Sequence, residues 1–152
     1  MAFEQLKLDN QLCFPVYAAS RLITREYQPH LEKLGITYPQ YLVLMVLWEN
    51  NESTVNEISK KLILNTNTVT PLLKRMESQG IISRQRSGND ERKVIVALTL
   101  KGKKMQARAA EIPEKLAASI ISGSIKAEDL IDLKEKLHRI IRYLSEKSKT
   151  DK

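Results

Sequence analysis

Residues 65–99 read NTNTVTPLLKRMESQGIISRQRSGNDERKVIVALT, and this stretch decides the fold. Asn65-Thr66-Asn67-Thr68 supplies several residues able to cap a helix, and Gly80 suits the left-handed position just beyond a helix end. The spacing therefore predicts a helix ending before Gly80. If Thr68 is the cap, Pro71 falls in the first turn at little cost; if Asn65 is the cap, Pro71 must distort the helix. After Gly80 the period becomes alternating: Ile82, Arg84 and Arg86 point one way, and Ile81, Ser83 and Gln85 the other. Ser87-Gly88-Asn89-Asp90 is a turn cluster, and Lys93–Leu98 is rich in β-branched residues. The two segments predict a hairpin.

Working outward, capping boxes mark the helices upstream. In Thr54-Val55-Asn56-Glu57 the threonine caps and the glutamate reaches back. This opens a short helix through Leu62, with Ile58 and Leu62 four apart on its inner face. Asn50-Asn51-Glu52 is read as a turn. Thr37-Tyr38-Pro39-Gln40 has the same form and opens a helix to about Glu49, apolar almost all round and so expected to be buried. Leu34-Gly35-Ile36 is a break. Before it, Asp9 or Asn10 can cap a helix running to about Pro29, with Leu12, Val16, Ala19, Leu22 and Ile23 on one face. Pro15 sets a start near Leu12 or a bend there. Downstream, Thr99 or Leu100 begins a helical stretch to about Ser119, interrupted near Pro113, with Ile121–Ser124 as a connector. A last helix runs from about Lys126 to Lys147, with Leu130, Leu133, Leu137, Ile140, Ile141 and Leu144 on one stripe.

The fold class expected is mainly α with a small β-hairpin: a winged helix-turn-helix over about 37–99, flanked by terminal helices at about 9–34 and 100–147, all in one domain over 1–152. The 152 residues carry 42% apolar side chains but only 5% aromatics, so the core must be mostly Leu, Ile and Val. A formal charge of +7 favours a polyanionic partner. Met1–Leu8 lacks the apolar core of an export signal, and no apolar run approaches the ~18 residues that span a bilayer. A cytoplasmic location without a membrane partner is expected. The single cysteine, Cys13, allows no disulfide within the chain. Two distant histidines, His30 and His138, with no phosphate loop and no metal-ligand cluster, argue against an enzyme, a cofactor or a metal.

A short helix packed across a second helix is the helix-turn-helix plan, in which the first residues of the second helix reach base edges in the major groove. Here those residues are Asn65, Thr66, Asn67, Thr68 and Thr70, with Lys74 and Arg75 one turn later. Their short hydroxyl and amide groups suit base edges or phosphates. The hairpin adds Arg84, Arg86, Arg92 and Lys93. From 65 to 93 there are six Lys or Arg and three acids, a local charge of +3. Arginine on a narrow hairpin suits an A·T-rich minor groove. Each feature alone has a plainer reading, since polar residues at a helix start usually cap and cations on a hairpin are usually solvated. Their order within one short stretch favours double-stranded DNA as the partner. A protein–protein adaptor on the same fold is the competing class.

The run Asp90-Glu91-Arg92-Lys93-Val94-Ile95-Val96-Ala97-Leu98-Thr99 resembles the wing signature of the multiple-antibiotic-resistance regulator (MarR) family, and Asn65–Gly80, with Thr70–Glu77 inside it, resembles that family's recognition helix. The resemblance implies a repressor that is a homodimer with interlocking terminal helices, carrying two winged modules onto a pseudopalindromic operator. It also implies that Arg92 enters the minor groove and that Asp90 braces it or a neighbouring cation. The stripe on the last helix fits independently, because a partner is the simplest cover for so apolar a face.

Asn10–Phe14 with Tyr17, Tyr27 and Thr37–Tyr41 is similar to the organic-hydroperoxide-resistance regulator (OhrR) branch of that family. There a cysteine matching Cys13 is oxidised by organic peroxides, and tyrosines matching Tyr27 and Tyr38 donate hydrogen bonds to its sulfur, with Tyr17 at a matching nearby place. Pro15 departs from the branch's pattern. With one cysteine, oxidation stops at sulfenic acid or proceeds to a mixed disulfide with a small thiol, a link between chains, or overoxidation. The alternative within the family is an inert Cys13 and a small aromatic or phenolic ligand in the dimer cleft.

Overall fold

The computed structural model describes residues 3–150. Two short 3-10 turns, Glu4–Leu6 and Leu8–Asn10, precede α1 (Cys13–Glu32), α2 (Tyr38–Asn50), β1 (Glu52–Thr54), α3 (Val55–Leu62), α4 (Thr66–Ser78), β2 (Ile82–Arg86), β3 (Val94–Leu98), α5 (Leu100–Ala109), α6 (Glu111–Gly123) and α7 (Ala127–Thr150). By compactness the described chain divides into two units: one extends to Ile112, and the other begins at Pro113, inside α6.

In the first unit α2 is central. Its apolar surface leaves no solvent stripe, and Tyr41, Val43, Leu44, Val46 and Leu47 are all buried. Both capping boxes form. The Thr37 N–H donates to Gln40 Oε1 at 2.9 Å, and the Thr54 N–H donates to Glu57 Oε2 at 2.7 Å. The Glu57 N–H returns a bond to Thr54 Oγ1 at 3.2 Å. α4 turns Val69, Leu72, Leu73 and Met76 inward, the i, i+3, i+4, i+7 spacing of a one-sided helix. Its cap position is Asn65, so Pro71 lies in the sixth helical place, where it removes the N–H that would bond to the Asn67 carbonyl. The helix nevertheless continues, because its buried face is shared with α3, α2 and β2.

Several boundaries differ from expectation. α1 starts at Cys13 with Leu12 at its cap position, the start near Leu12 that Pro15 allowed, while Asp9 and Asn10 lie in a 3-10 turn and do not cap it. Pro15 is thus its third residue, where no intrahelical acceptor is lost. The helix passes Pro29 and ends at Glu32, since burial of Leu31 holds the last turn and the Ile36 N–H closes it on the Leu31 carbonyl at 3.1 Å. The break expected at Pro113 falls at Ala110, leaving the proline in the first turn of α6, which prolines favour. α6 then runs on to Gly123, so most of the connector expected at Ile121–Ser124 is helical.

The hairpin pairs Ile82 with Leu98, Arg84 with Val96 and Arg86 with Val94. A third strand joins it: β1, read from sequence as a turn, pairs antiparallel with β3, giving the order β1-β3-β2. Gly80 adopts φ +69°, and Ile81 N–H closes on the Met76 carbonyl at 3.0 Å, ending α4 and launching β2. Thr99 joins the far end of the wing to this exit. Its N–H donates to the Ile81 carbonyl at 3.1 Å, and its hydroxyl lies 2.7 Å from the Gly80 carbonyl and 2.9 Å from that of Ile81. The same oxygen caps α5 by accepting from the Gly102 N–H at 3.2 Å.

In the second unit, Leu133, Ile140, Ile141 and Leu144 of α7 stay between 43% and 56% exposed. Leu130 and Leu137 of the same stripe are half-buried, so most of the stripe read from sequence is exposed.

Candidate nucleic-acid interface and thiol site

The inward set on α4 fixes what faces out. Asn65, Thr66, Asn67, Thr68, Lys74 and Arg75 are exposed, and Thr70 is half-buried. Three short polar side chains thus crowd the first turn of a helix that Asn65 caps without a side-chain hydrogen bond, the Thr68 N–H instead donating to the Asn65 carbonyl at 2.9 Å. Such an end can take a phosphate or approach base edges.

The wing presents Arg86, Arg92 and Lys93 to solvent. Its tip is closed by the Ser87 N–H donating to the Lys93 carbonyl at 2.8 Å and the Lys93 N–H donating to the Asp90 carbonyl at 2.9 Å. Asp90 Oδ1 accepts the Arg92 N–H at 3.1 Å. Asp90 therefore shapes the backbone beneath Arg92 and leaves the guanidinium free to reach outward. Arg84 behaves differently from its strand neighbours. Its Nε and Nη2 donate to Glu77 Oε2 at 3.0 and 2.7 Å, and its N–H donates to Glu77 Oε1 at 3.2 Å. Arg84 is turned back onto α4, where it ties the wing to that helix.

The carboxyl groups of Glu57 and Glu77 are both held below the usual value of 4.5: Glu57 by the Thr54 backbone and hydroxyl hydrogen bonds, Glu77 by the Arg84 hydrogen bond and charge. A carboxylate whose pKa drops on folding stabilises the protein above its unfolded pKa and loses that contribution as pH falls through the folded one. Stability should therefore decline on acidification from about pH 4.5 downward. Urea midpoints measured between pH 6 and pH 3 should show a shallower decline in Glu57→Gln and Glu77→Gln; parallel curves would remove these carboxylates from the acid response.

Cys13 is exposed at the first residue of α1, and Leu12, Phe14, Val16, Tyr17, Leu22 and Ile23 around and beyond it are 40–71% exposed. Within one chain the apolar side chains beside the sulfur are thus left largely exposed. Tyr17 lies beneath Arg21, whose guanidinium carbon is 5.4 Å from the ring centre. Tyr27 and Tyr38 meet edge to face, 5.1 Å between centres, and Tyr41 joins both at 5.7 and 6.3 Å. Tyr41 also meets Trp48 at 6.1 Å, an aromatic extension that the sequence reading missed. Burial pushes the Tyr27, Tyr38 and Tyr41 hydroxyls above their usual pKa, so they remain protonated donors at neutral pH.

Cys13 and Tyr27 do not come together within the chain. Fourteen residues of one continuous helix separate them, about 21 Å at 1.5 Å per residue.

Residues 25–108 match the family model for the transcriptional regulators SarA/Rot. The chain is 47% identical over 147 residues, 96% of its length and 97% of the relative's, to the organic hydroperoxide resistance transcriptional regulator of Bacillus subtilis. Among solved structures it is similar to AbfR, a protein of Staphylococcus epidermidis. Reduced AbfR bound to DNA is 39% identical, with 93% of this chain and 98% of that one covered and a TM-score of 0.75. Disulfide-formed AbfR is 40% identical, with 91% and 95% covered and a TM-score of 0.59. A winged helix-turn-helix core, a lone cysteine opening the first long helix and likeness along nearly the whole chain lead to one assignment: this protein belongs to the MarR superfamily of transcriptional regulators, in its OhrR-like, single-cysteine branch.

Proposed function

We propose that the protein is a homodimeric repressor that holds a pseudopalindromic duplex through α4 and the wing, and leaves it when an organic hydroperoxide oxidises Cys13. The observation that carries the redox half is the 21 Å spacing of Cys13 and Tyr27 on one helix. The exposed apolar face of α1 and that of α7 each call for a partner. If two α1 helices pair antiparallel, Cys13 of one chain approaches Tyr27 and Tyr38 of the other, and Leu12, Phe14 and Val16 gain the cover they lack alone. Protonated tyrosine hydroxyls then donate to the sulfur and favour its thiolate.

The thiolate attacks the terminal peroxide oxygen. An S–O bond forms as the O–O bond breaks, and the organic fragment leaves as an alkoxide that takes up a proton and becomes an alcohol. Sulfur is oxidised by two electrons to the sulfenic acid, and a small thiol can then displace its oxygen as water to give a mixed disulfide. Either product enlarges a group packed between helices of two subunits and so biases the spacing of the two DNA-reading heads. AbfR, reduced on DNA in one structure and disulfide-formed in another, supports a thiol-based response.

The test is a gel shift on the DNA upstream of the protein's own coding sequence, with and without cumene hydroperoxide. Wild type should lose affinity on oxidation by about tenfold or more, within the usual range of allosteric coupling. Cys13→Ser should bind equally well and ignore the peroxide. Release of the serine variant by peroxide would overturn thiol sensing and favour the second reading, a phenolic ligand. That reading has one observation behind it, a cavity of about 440 Å³ lined by Arg21, Thr24, Arg25, Gln28 and Tyr38.

A further inference from the structure

Ile63 stands in the turn between α3 and α4 with φ 55° and ψ 44°, and its side chain is 62% exposed. Both facts run against its chemistry. A β-branched residue in the left-handed region is a steric outlier, and glycine or asparagine is the ordinary occupant of such a helix-ending position. The turn itself needs only backbone: the Ile63 N–H donates to the Lys60 carbonyl at 3.3 Å and the Leu64 N–H donates to that of Ser59 at 3.0 Å. Nor does burial offset the strain, because most of the side chain faces water. The fold alone therefore gives no reason for isoleucine here, and strained backbone retained without a folding reason is characteristic of functional positions.

The location supplies a reason. Ile63 lies three residues before the first helical residue of α4, within about 10 Å of it along the chain. It thus neighbours the exposed Asn65–Thr68 end that the DNA-binding reading sends into the major groove. An apolar branched side chain finds one apolar feature on base edges there, the C5-methyl group of thymine. We infer that Ile63 is a specificity-determining residue that packs against a thymine methyl beside the α4 footprint. This rests on the proposed docking of α4 in the major groove.

Ile63→Gly and Ile63→Asn, both compatible with a positive φ, are compared with wild type on the upstream duplex and on the same duplex made with uracil in place of thymine. Removing the strain should leave the variants melting no lower than wild type, and for the glycine variant about 2–4 °C higher. On the thymine duplex each variant should bind about fourfold more weakly per half-site, the worth of one buried methyl-sized contact. The penalty for uracil should shrink in the variants by that same factor. Equal uracil penalties in all three proteins, or undiminished affinity of the variants for the thymine duplex, would overturn the inference while leaving DNA binding intact. Failure of wild type to bind either duplex would instead overturn the docking of α4.

Discussion

Gly102→Ala is expected to destabilise the protein by about 2–4 kcal/mol, although alanine is the better helix former by about 1 kcal/mol. Gly102 is the third residue of α5, and a Cβ there would lie 2.3 Å from the Ile81 carbonyl oxygen and 3.1 Å from Leu98 Cδ2. The first neighbour is backbone and cannot swing aside, so α5 must move as a body. That movement strains the two hydrogen bonds anchored on this residue, Trp48 Nε1 to the Gly102 carbonyl at 3.1 Å and the Gly102 N–H to Thr99 Oγ1 at 3.2 Å. Each is worth about 1 kcal/mol net. Every kilocalorie moves the melting midpoint of a chain this size by about 2–4 °C, so a fall of roughly 5–15 °C is expected by calorimetry. An unchanged midpoint would mean that α5 does not approach Ile81 this closely.

Salt should act on DNA binding with comparable force. If Arg86, Arg92 and Lys93 of each subunit neutralise one phosphate apiece, six counterions are released on binding. The affinity should then fall about a thousandfold between 50 and 200 mM salt, with a log–log slope near −5. Replacing Arg86 and Arg92 together by alanine removes four of those contacts per dimer, and the slope should become shallower by about 3–4. Arg84→Ala provides the contrast. Its guanidinium is engaged with Glu77, so its loss should loosen the wing and lower stability while leaving the slope unchanged. Fluorescence anisotropy across a salt series measures all three. A slope in Arg84→Ala reduced as much as in the double variant would mean that Glu77 releases Arg84 to the duplex.

Arg84 also shows what the sequence could and could not tell. Alternation placed Ile82, Arg84 and Arg86 on one face of β2, and that face is real. Yet it passes from buried at Ile82 through half-buried at Arg84 to exposed at Arg86, so three residues of equal phase meet three environments. What decides the matter is Glu77, on a different element and invisible to local pattern. Capping boxes were legible because both partners lie three residues apart. β1 was not, because three residues carry no period and Glu52–Thr54 is a strand only by virtue of the free edge of β3. The cap of α4 stayed ambiguous since Asn65 and Thr68 are equally good chemistry, and only packing of the inner face carries the helix through Pro71. Among the candidate sensing residues the types and order were readable. Their separation along α1, which makes Cys13 and Tyr27 unable to meet within one chain, follows only once the helix is known to run unbroken from Cys13 to Glu32.

The uncovered oily stripes of α1 and α7 carry a consequence for the life of the molecule in a cell. Folding and association draw on the same free energy, so mass action links the melting point to how much protein is present. A newly made chain at low abundance is a poorly protected species, open to proteases until it finds a second copy. Dilution alone thus weakens the regulator twice over, first as a folded object and then as an occupant of its site.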